Sequence, residues 1–218
     1  MLVKDAMTTN LVTIPSNTPV MQALKIMDTH HFQRLPVVDK GKLVGIVTKN
    51  AILRASPSAA TSLSIWEINH LISKMTVKDI MVREVATVPP DTAVESAVAT
   101  AQQRRVGALP AMEGDKIVGI MTTNDFFYRI LNPLLGINES GTRIIVYAAD
   151  TPAQVAEVME ILKEHKLEIK ALHSVNVPDA VSRDLIVHLA TDDTSKVEEE
   201  LKQSGFHVGR RTHSPIRG

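Results

Sequence analysis

Lys42-Leu43-Val44-Gly45-Ile46-Val47-Thr48-Lys49-Asn50 and Lys116-Ile117-Val118-Gly119-Ile120-Met121-Thr122-Thr123-Asn124-Asp125 are two versions of one stretch. The match continues outward from them without a gap. Val3-Lys4-Asp5 falls on Val77-Lys78-Asp79, Met7 on Met81, Thr13 on Thr87 and Pro15 on Pro89. Thr18 falls on Thr92, and Leu35-Pro36 on Leu109-Pro110. About a third of the positions are identical, so one supersecondary unit is used twice.

Each copy spells the same order, β-α-β-β-α. A short strand is expected at Leu11 to Ile14 and at Val85 to Val88, followed by a turn with proline. In the first copy Thr18 is the expected N-cap and Pro19 the first helical residue. Val20, Ala23, Leu24 and Met27 then form one apolar helical face. In the second copy Thr92 and Glu95 are the expected capping box, with Val94, Ala97, Val98 and Ala101 as the stripe. Strands at Leu35 to Val38 and Leu43 to Val47 flank the turn Asp39 to Lys42, and a second helix opens at Thr48 or Thr122.

This unit resembles the CBS repeat. The likeness rests on the opening Val-Lys-Asp-x-Met, on Leu35-Pro36-Val37-Val38-Asp39, and on the duplicated stretch quoted above. The resemblance implies an α+β fold: repeat 1 over residues 1–56, a connecting helix over 57–76 carrying Leu63, Trp66 and Leu71, and repeat 2 over 77–131. A single repeat cannot bury both faces of its sheet, so the two are expected to pack into one module.

The resemblance also implies a ligand. In nucleotide-binding CBS repeats the pattern Gly-x-x-Thr-x-x-Asp, here Gly119 to Asp125, resembles the part that holds an adenosine ribose and phosphate. Asp125 would accept from the ribose hydroxyls, as acidic residues do in dinucleotide folds. Thr122, at a helix N-terminus, would bind phosphate or ribose, and Ile120 would lie beside them. The adenine would lie against Thr13 and Ile14, with Thr87 and Val88 as the other candidates, and the phosphate partners would be Arg34 and Arg105 (or Arg104). A bland reading stands beside this one, because Thr122 with Asp125 is also an ordinary capping box. The first copy has Ala51 where the second has Asp125, so one competent site, or two unequal ones, is expected.

Residues 132–141 read as a linker, from Asn132-Pro133 and the stretch between Gly136 and Gly141. Over 142–212 a new order follows, βαββαβ, which is the ferredoxin-like arrangement. Strands are expected at Arg143 to Ala148, Leu167 to Val177, about Leu185 to Leu189, and Phe206 to Arg210. Helices are expected after Thr151, with Gln154 completing its cap, and after Ser195, with Glu198. The region resembles an ACT domain. Amino-acid-binding ACT domains usually carry a glycine after the proline of that turn, and this chain has Ala153. The resemblance therefore implies the fold with weak amino-acid binding or none, and a plain dimerisation domain is the alternative. A CBS pair followed by an ACT domain resembles the acetoin-utilisation B-type (AcuB-like) proteins.

Composition narrows the function classes. Lys plus Arg and Asp plus Glu number 24 each and aromatics are 3%, which offers nucleic acid neither a clustered field nor stacking platforms. Arg210, Arg211 and Arg217 are expected to be a solvated tail. The absence of cysteine excludes disulfides and thiolate chemistry. No apolar run suits a signal peptide or a membrane span, so a cytoplasmic protein without membrane contact is expected. His30 and His31 are adjacent, and His173, His188 and His207 lie on separate strands, so no metal site is expected. No phosphate-loop, zinc-protease or nucleophile-elbow motif occurs, so an enzyme is not expected. The reading is an allosteric sensor of an adenosine-containing ligand: AMP, ADP, ATP or S-adenosylmethionine, none held covalently. It would work as a homodimer or larger assembly with a client protein. A purely structural, oligomerising protein is the alternative.

Overall fold

The computed structural model describes residues 1–55, 74–137, 139–176, 178 and 181–212. The expected connecting helix falls almost wholly outside them. The chain divides into two compact units, Met1–Phe127 and Tyr128–Gly218.

The first unit contains both repeats. Repeat 1 runs through α1 (Val3–Ala6), α2 (Val20–Thr29), β1 (Arg34–Asp39), β2 (Lys42–Thr48) and α3 (Lys49–Ala55). Repeat 2 matches it with a 3-10 turn (Val77–Asp79), α4 (Val94–Arg104), β3 (Ala108–Glu113), β4 (Lys116–Thr122) and α5 (Thr123–Asp125). The pairs β1–β2 and β3–β4 are antiparallel hairpins, each with a register shift at the same place, Val37/Val38 and Ala111/Met112. Helices α2 and α4 also end alike. Each is followed by a residue in the left-handed region, His31 at φ 55° and Arg105 at φ 53°. The next amide then returns to the last turn, Phe32 to the Met27 carbonyl and Val106 to the Ala101 carbonyl.

The two repeats exchange their opening segments. Thr8 and Ile120 trade both backbone hydrogen bonds at 2.9 Å, and Val82 and Ile46 do the same at 2.9 Å. One glycine in each hairpin makes the crossing possible. A Cβ on Gly119 would lie 2.2 Å from Met7 Sδ, and one on Gly45 would lie 2.7 Å from Met81 Sδ and 2.9 Å from the Val82 carbonyl oxygen. The valine that starts each opening segment is carried into the other repeat. Val77 is fully buried in the core of repeat 1 with Ile14, Met27, Leu35 and Val47.

This exchange corrects three expectations. Residues 11–14 and 85–88 are not strands; each touches a hairpin at one parallel bridge, Ile14 to Val37 and Val88 to Ala111. Their neighbours Thr8 and Val82 are already paired elsewhere, so little chain remains to zip. Thr18 and Thr92 do not cap α2 and α4, whose N-caps are Pro19 and Ala93 without a side-chain bond. The Thr18 and Thr92 carbonyls instead accept from Val77 and Val3 at 2.9 Å, fixing the exchanged segments.

The second unit holds a four-stranded antiparallel sheet, ordered β6-β7-β5-β8, with two helices. In chain order these are β5 (Thr142–Tyr147), α7 (Pro152–Glu164), β6 (Ile169–Asn176), β7 (Arg183–Leu189), α8 (Ser195–Gln203) and β8 (His207–Thr212), preceded by α6 (Asn132–Leu135). The Thr151–Gln154 capping box is present. Ser195 is the first residue of α8 rather than its cap, and its amide donates to Asp193 Oδ1 at 3.1 Å. The helices lay Val158, Leu162, Val197 and Leu201 against Ile144, Val187 and Leu189.

Part of the expected linker is ordered. Asn132 to Leu135 form α6, ended by Gly136 at φ 60°. Arg143 Nη2 donates to the Leu135 and Gly136 carbonyls at 2.9 and 2.8 Å. Arg210 is exposed, but it lies in β8 rather than in a tail and donates to the Asp192 carbonyl at 2.6 Å. His188, 1% exposed, sits under this turn, where a Cβ on Gly136 would be 2.5 Å from its Nδ1. Burial first, and the Arg143 charge second, hold its pKa below the ordinary 6.5, against a smaller opposing pull from the Ser140 backbone.

Two outcomes follow for stability. Gly45→Ala should cost about 1–3 kcal/mol by overpacking against backbone as well as a side chain. Gly119→Ala should cost less, because only the flexible Met7 side chain must move. Urea titration of both variants checks this, and equal, negligible losses would contradict it. His188 binds a proton more weakly folded than unfolded, so stability is full above its unfolded pKa and is lost as pH falls below about 6.5. Thermal unfolding from pH 7.5 to 5 should show a smaller loss in His188→Leu than in the parent; identical slopes would contradict the assignment.

Candidate functional site

Five segments of the first unit converge on one cavity of about 340 Å³. They are the chain after α1 (Thr8 and Asn10 to Val12), the turn after α2 (His30 to Gln33), the start of β1 (Arg34 and Pro36), Gly107 just before β3, and the β4–α5 junction (Ile120 and Thr122 to Asp125). The volume is at the lower end of the roughly 300–1,000 Å³ of small-molecule pockets. The exchanged opening segment builds one wall, since Thr8 reaches the cavity only by pairing with Ile120.

Asp125 is 8% exposed and its carboxylate organises the polar end. Its Oδ2 accepts from the Thr122 amide at 2.9 Å and from Thr122 Oγ1 at 2.6 Å. Its Oδ1 accepts from Thr8 Oγ1 at 3.1 Å. The Asp125 amide completes the capping box with Thr122 Oγ1 at 3.3 Å. The capping reading is therefore true as geometry.

α3 provides an internal comparison. It opens with the same threonine cap, Ala51 N to Thr48 Oγ1 at 3.1 Å, and has no acid at the third position. Starting this helix does not require the carboxylate.

Arg34 is the cation of the cavity. It is half-buried, and desolvation pulls its pKa below the ordinary guanidinium value. Among the described residues it has no carboxylate within ion-pair distance and no hydrogen-bond acceptor. Its guanidinium passes over Gly107, where a Cβ would lie 3.0 Å from Nη1 and 3.1 Å from Nη2. On the rim, the His30 and Phe32 rings stack at 5.4 Å with 17° between their planes.

Of the seven residues singled out from the sequence, Arg34, Ile120, Thr122 and Asp125 line this cavity. Thr13, Ile14 and Arg105 do not. Ile14 is 4% exposed inside the repeat 1 core, and Thr13 points away as an exposed neighbour. Leu11 and Val12 supply the apolar wall instead, because the chain leaves the cavity before Thr13. Arg105 ends α4 and lines a different, apolar groove of about 380 Å³ with Ala101, Leu109, Met121 and Phe126. Thr8, His30, His31 and Gly107 were missed. Thr8 follows the matched Met7 directly, and only the crossing between repeats reveals which hairpin it joins. Among the described residues no group of three metal ligands occurs, and no helix is long and apolar enough to cross a membrane.

A family model for the CBS domain matches residues 3–58 and 77–132. The L-aspartate semialdehyde sulfurtransferase of Methanocaldococcus jannaschii is 31% identical over 128 residues, which are 57% of this chain and 22% of that protein. An inosine-5'-monophosphate dehydrogenase of Korarchaeum cryptofilum is 27% identical over 80% of this chain and 34% of its own length. The chain thus spans about a quarter to a third of these curated relatives. Among solved structures, a Vibrio cholerae protein assigned to acetoin utilization (AcuB) superposes with a TM-score of 0.52 at 26% identity, covering 61% of this chain and 91% of that one. The CBS domain pair of protein MJ0100, in complex with 5'-methylthioadenosine and S-adenosyl-L-methionine, gives 0.50 at 31% identity, covering 61% and 96%.

A half-buried cation with no ion-pair partner among the described residues is a cost to the fold. Arg34→Met should leave thermal stability unchanged or raise it slightly in the absence of ligand. Asp125→Ala, which strands the Thr122 amide and two hydroxyls, should cost about 1–3 kcal/mol. Differential scanning calorimetry of the two variants checks the contrast; a large loss in Arg34→Met would reveal a structural role for the arginine.

Proposed function

Because the chain belongs to the CBS-domain family, we propose that it is a regulatory protein whose CBS pair senses an adenosine nucleotide. The observation that carries this reading is Arg34, a desolvated cation with no carboxylate within ion-pair distance among the described residues, in one cavity with the Asp125 carboxylate. The two charges suit the two ends of a nucleotide. Asp125, with Thr8 and Thr122, would accept and donate to the ribose hydroxyls. Arg34 would take the phosphate through a charge-assisted bond. The adenine would lie on Leu11, Val12 and the Phe32 edge. The related pair bound to 5'-methylthioadenosine and S-adenosyl-L-methionine supports adenosine as the common element. Arg34 favours AMP, ADP or ATP over the cationic sulfonium of S-adenosylmethionine.

The C-terminal unit is read as a ferredoxin-like, ACT-like domain, supported by its βαββαβ order and strand order. With Ala153 in the turn its proposed role is assembly into a homodimer rather than amino-acid capture. The chain is proposed to act in the cytoplasm on a client protein, without catalysis of its own. Signalling needs the nucleotide to bind two conformations unequally. A purely structural role is favoured by one observation, the use of Asp125 as a capping partner, and the following measurement separates the two.

Calorimetric titration of the full chain with AMP and with adenosine tests the proposal. Arg34→Ala should weaken AMP at least tenfold and adenosine little. Asp125→Asn should weaken both by about tenfold, since a lost hydrogen bond to a charged group costs about 1.5–3 kcal/mol. Absence of AMP binding in the parent, or unchanged binding in both variants, would leave the structural reading standing.

A further inference from the structure

We propose that the CBS pair holds one adenosine ligand and not two, because the half-site related to it by the internal repeat has aliphatic residues in place of Thr8, Arg34 and Asp125. This rests on the nucleotide reading above and assigns its stoichiometry and the residues that set it.

The frame of the cavity is present twice. The Thr8–Ile120 pairing has its counterpart in Val82–Ile46, all four hydrogen bonds at 2.9 Å. The Thr123 amide donates to the Gly107 carbonyl at 3.2 Å, and the Lys49 amide donates to the Gln33 carbonyl at 2.9 Å. The helix after each hairpin starts on its threonine.

The chemistry is present once. Val82 stands for Thr8, Ala108 for Arg34 and Ala51 for Asp125. The hydroxyl, the cation and the carboxylate that meet in one cavity are all aliphatic in the other. Gly107, which leaves room for the Arg34 guanidinium, is matched by Gln33 in the other repeat. Lys49, in the place of Thr123, is spent on an ion pair with Asp28 at 2.6 Å. Arg104 and Arg105 replace His30 and His31, but both are exposed, and Arg105 belongs to the apolar groove. A ribose diol entering this half-site would lose water without meeting the carboxylate that Asp125 supplies in the other, which binding energetics penalise.

The change at all three polar positions, with the backbone frame intact, points to a pair that responds asymmetrically. The ligand would tighten only the Thr8–Ile120 crossing and leave the Val82–Ile46 crossing as it is.

The test is AMP titration of the full chain by calorimetry. The parent should bind one AMP per chain. Thr8→Val/Arg34→Ala/Asp125→Ala, which makes the site a copy of its counterpart, should abolish binding. Val82→Thr/Ala108→Arg/Ala51→Asp should raise the stoichiometry toward two, whereas Ala51→Asp alone should not, since Ala108 still offers no cation. Two AMP molecules on the parent, or one retained by the first triple variant, would overturn this inference while leaving nucleotide sensing intact. A folded second triple variant that still binds one AMP would overturn the assignment of the three positions. No AMP on the parent would overturn the nucleotide reading, and this inference with it.

Discussion

Thr8 and Ile120 are bound through both of their backbone groups, and Val82 and Ile46 repeat the arrangement on the other side. The rest of the first unit depends on this double crossing. Each hairpin alone is a two-stranded ribbon, which is marginal in water. The crossing gives each hairpin a further strand-like partner and carries Val3 and Val77, both fully buried, into the opposite repeats. It also explains the glycine of the repeated motif. Gly45 and Gly119 are needed because Met81 and Met7 pass across them. The glycine therefore belongs to the architecture of the pair and says nothing by itself about phosphate.

The same crossing builds the cavity. The wall that carries Thr8, Leu11 and Val12 comes from the start of repeat 1, and the floor that carries Thr122 and Asp125 comes from repeat 2. A ligand held by Asp125 and Thr8 would bridge the two repeats at the point where they are joined. That is a direct physical route from occupancy to the geometry of the pair. Arg34 completes the case: a desolvated cation with no ion-pair partner among the described residues is a cost to the fold that a bound anion would offset. Asp125 is the opposite kind of residue, since its local bonds already contribute to the fold.

Much of this was legible in the sequence, and the misses share one cause. The hairpins, the αβ order of both units and the Thr151–Gln154 cap follow from period and local capping chemistry, which act within a few residues. Arg34, Ile120, Thr122 and Asp125 share one cavity; the repeat marks Ile120 and Thr122 twice, as Ile46 and Thr48, whereas Arg34 and Asp125 stand opposite Ala108 and Ala51. The strands expected at 11–14 and 85–88 and the caps expected at Thr18 and Thr92 failed because those residues answer to segments distant in the chain, as Thr18 does to Val77 and Thr92 to Val3. Thr13 and Ile14, which the family resemblance gives to the adenine, lie just past the point where the chain turns into the core. Arg105 was grouped with Arg34 by type, although its repeat partner is His31 and its side chain faces another groove.

The central claim is that one crossing, and not its twin, is the ligand's contact with the fold. Amide hydrogen exchange followed by NMR, with and without saturating AMP, tests it most directly, since exchange reports the opening of individual backbone bonds. The account predicts added protection at Thr8 and Ile120, with Val82 and Ile46 unchanged. Equal added protection at all four amides, or none at Thr8 and Ile120 while AMP is bound, would contradict it.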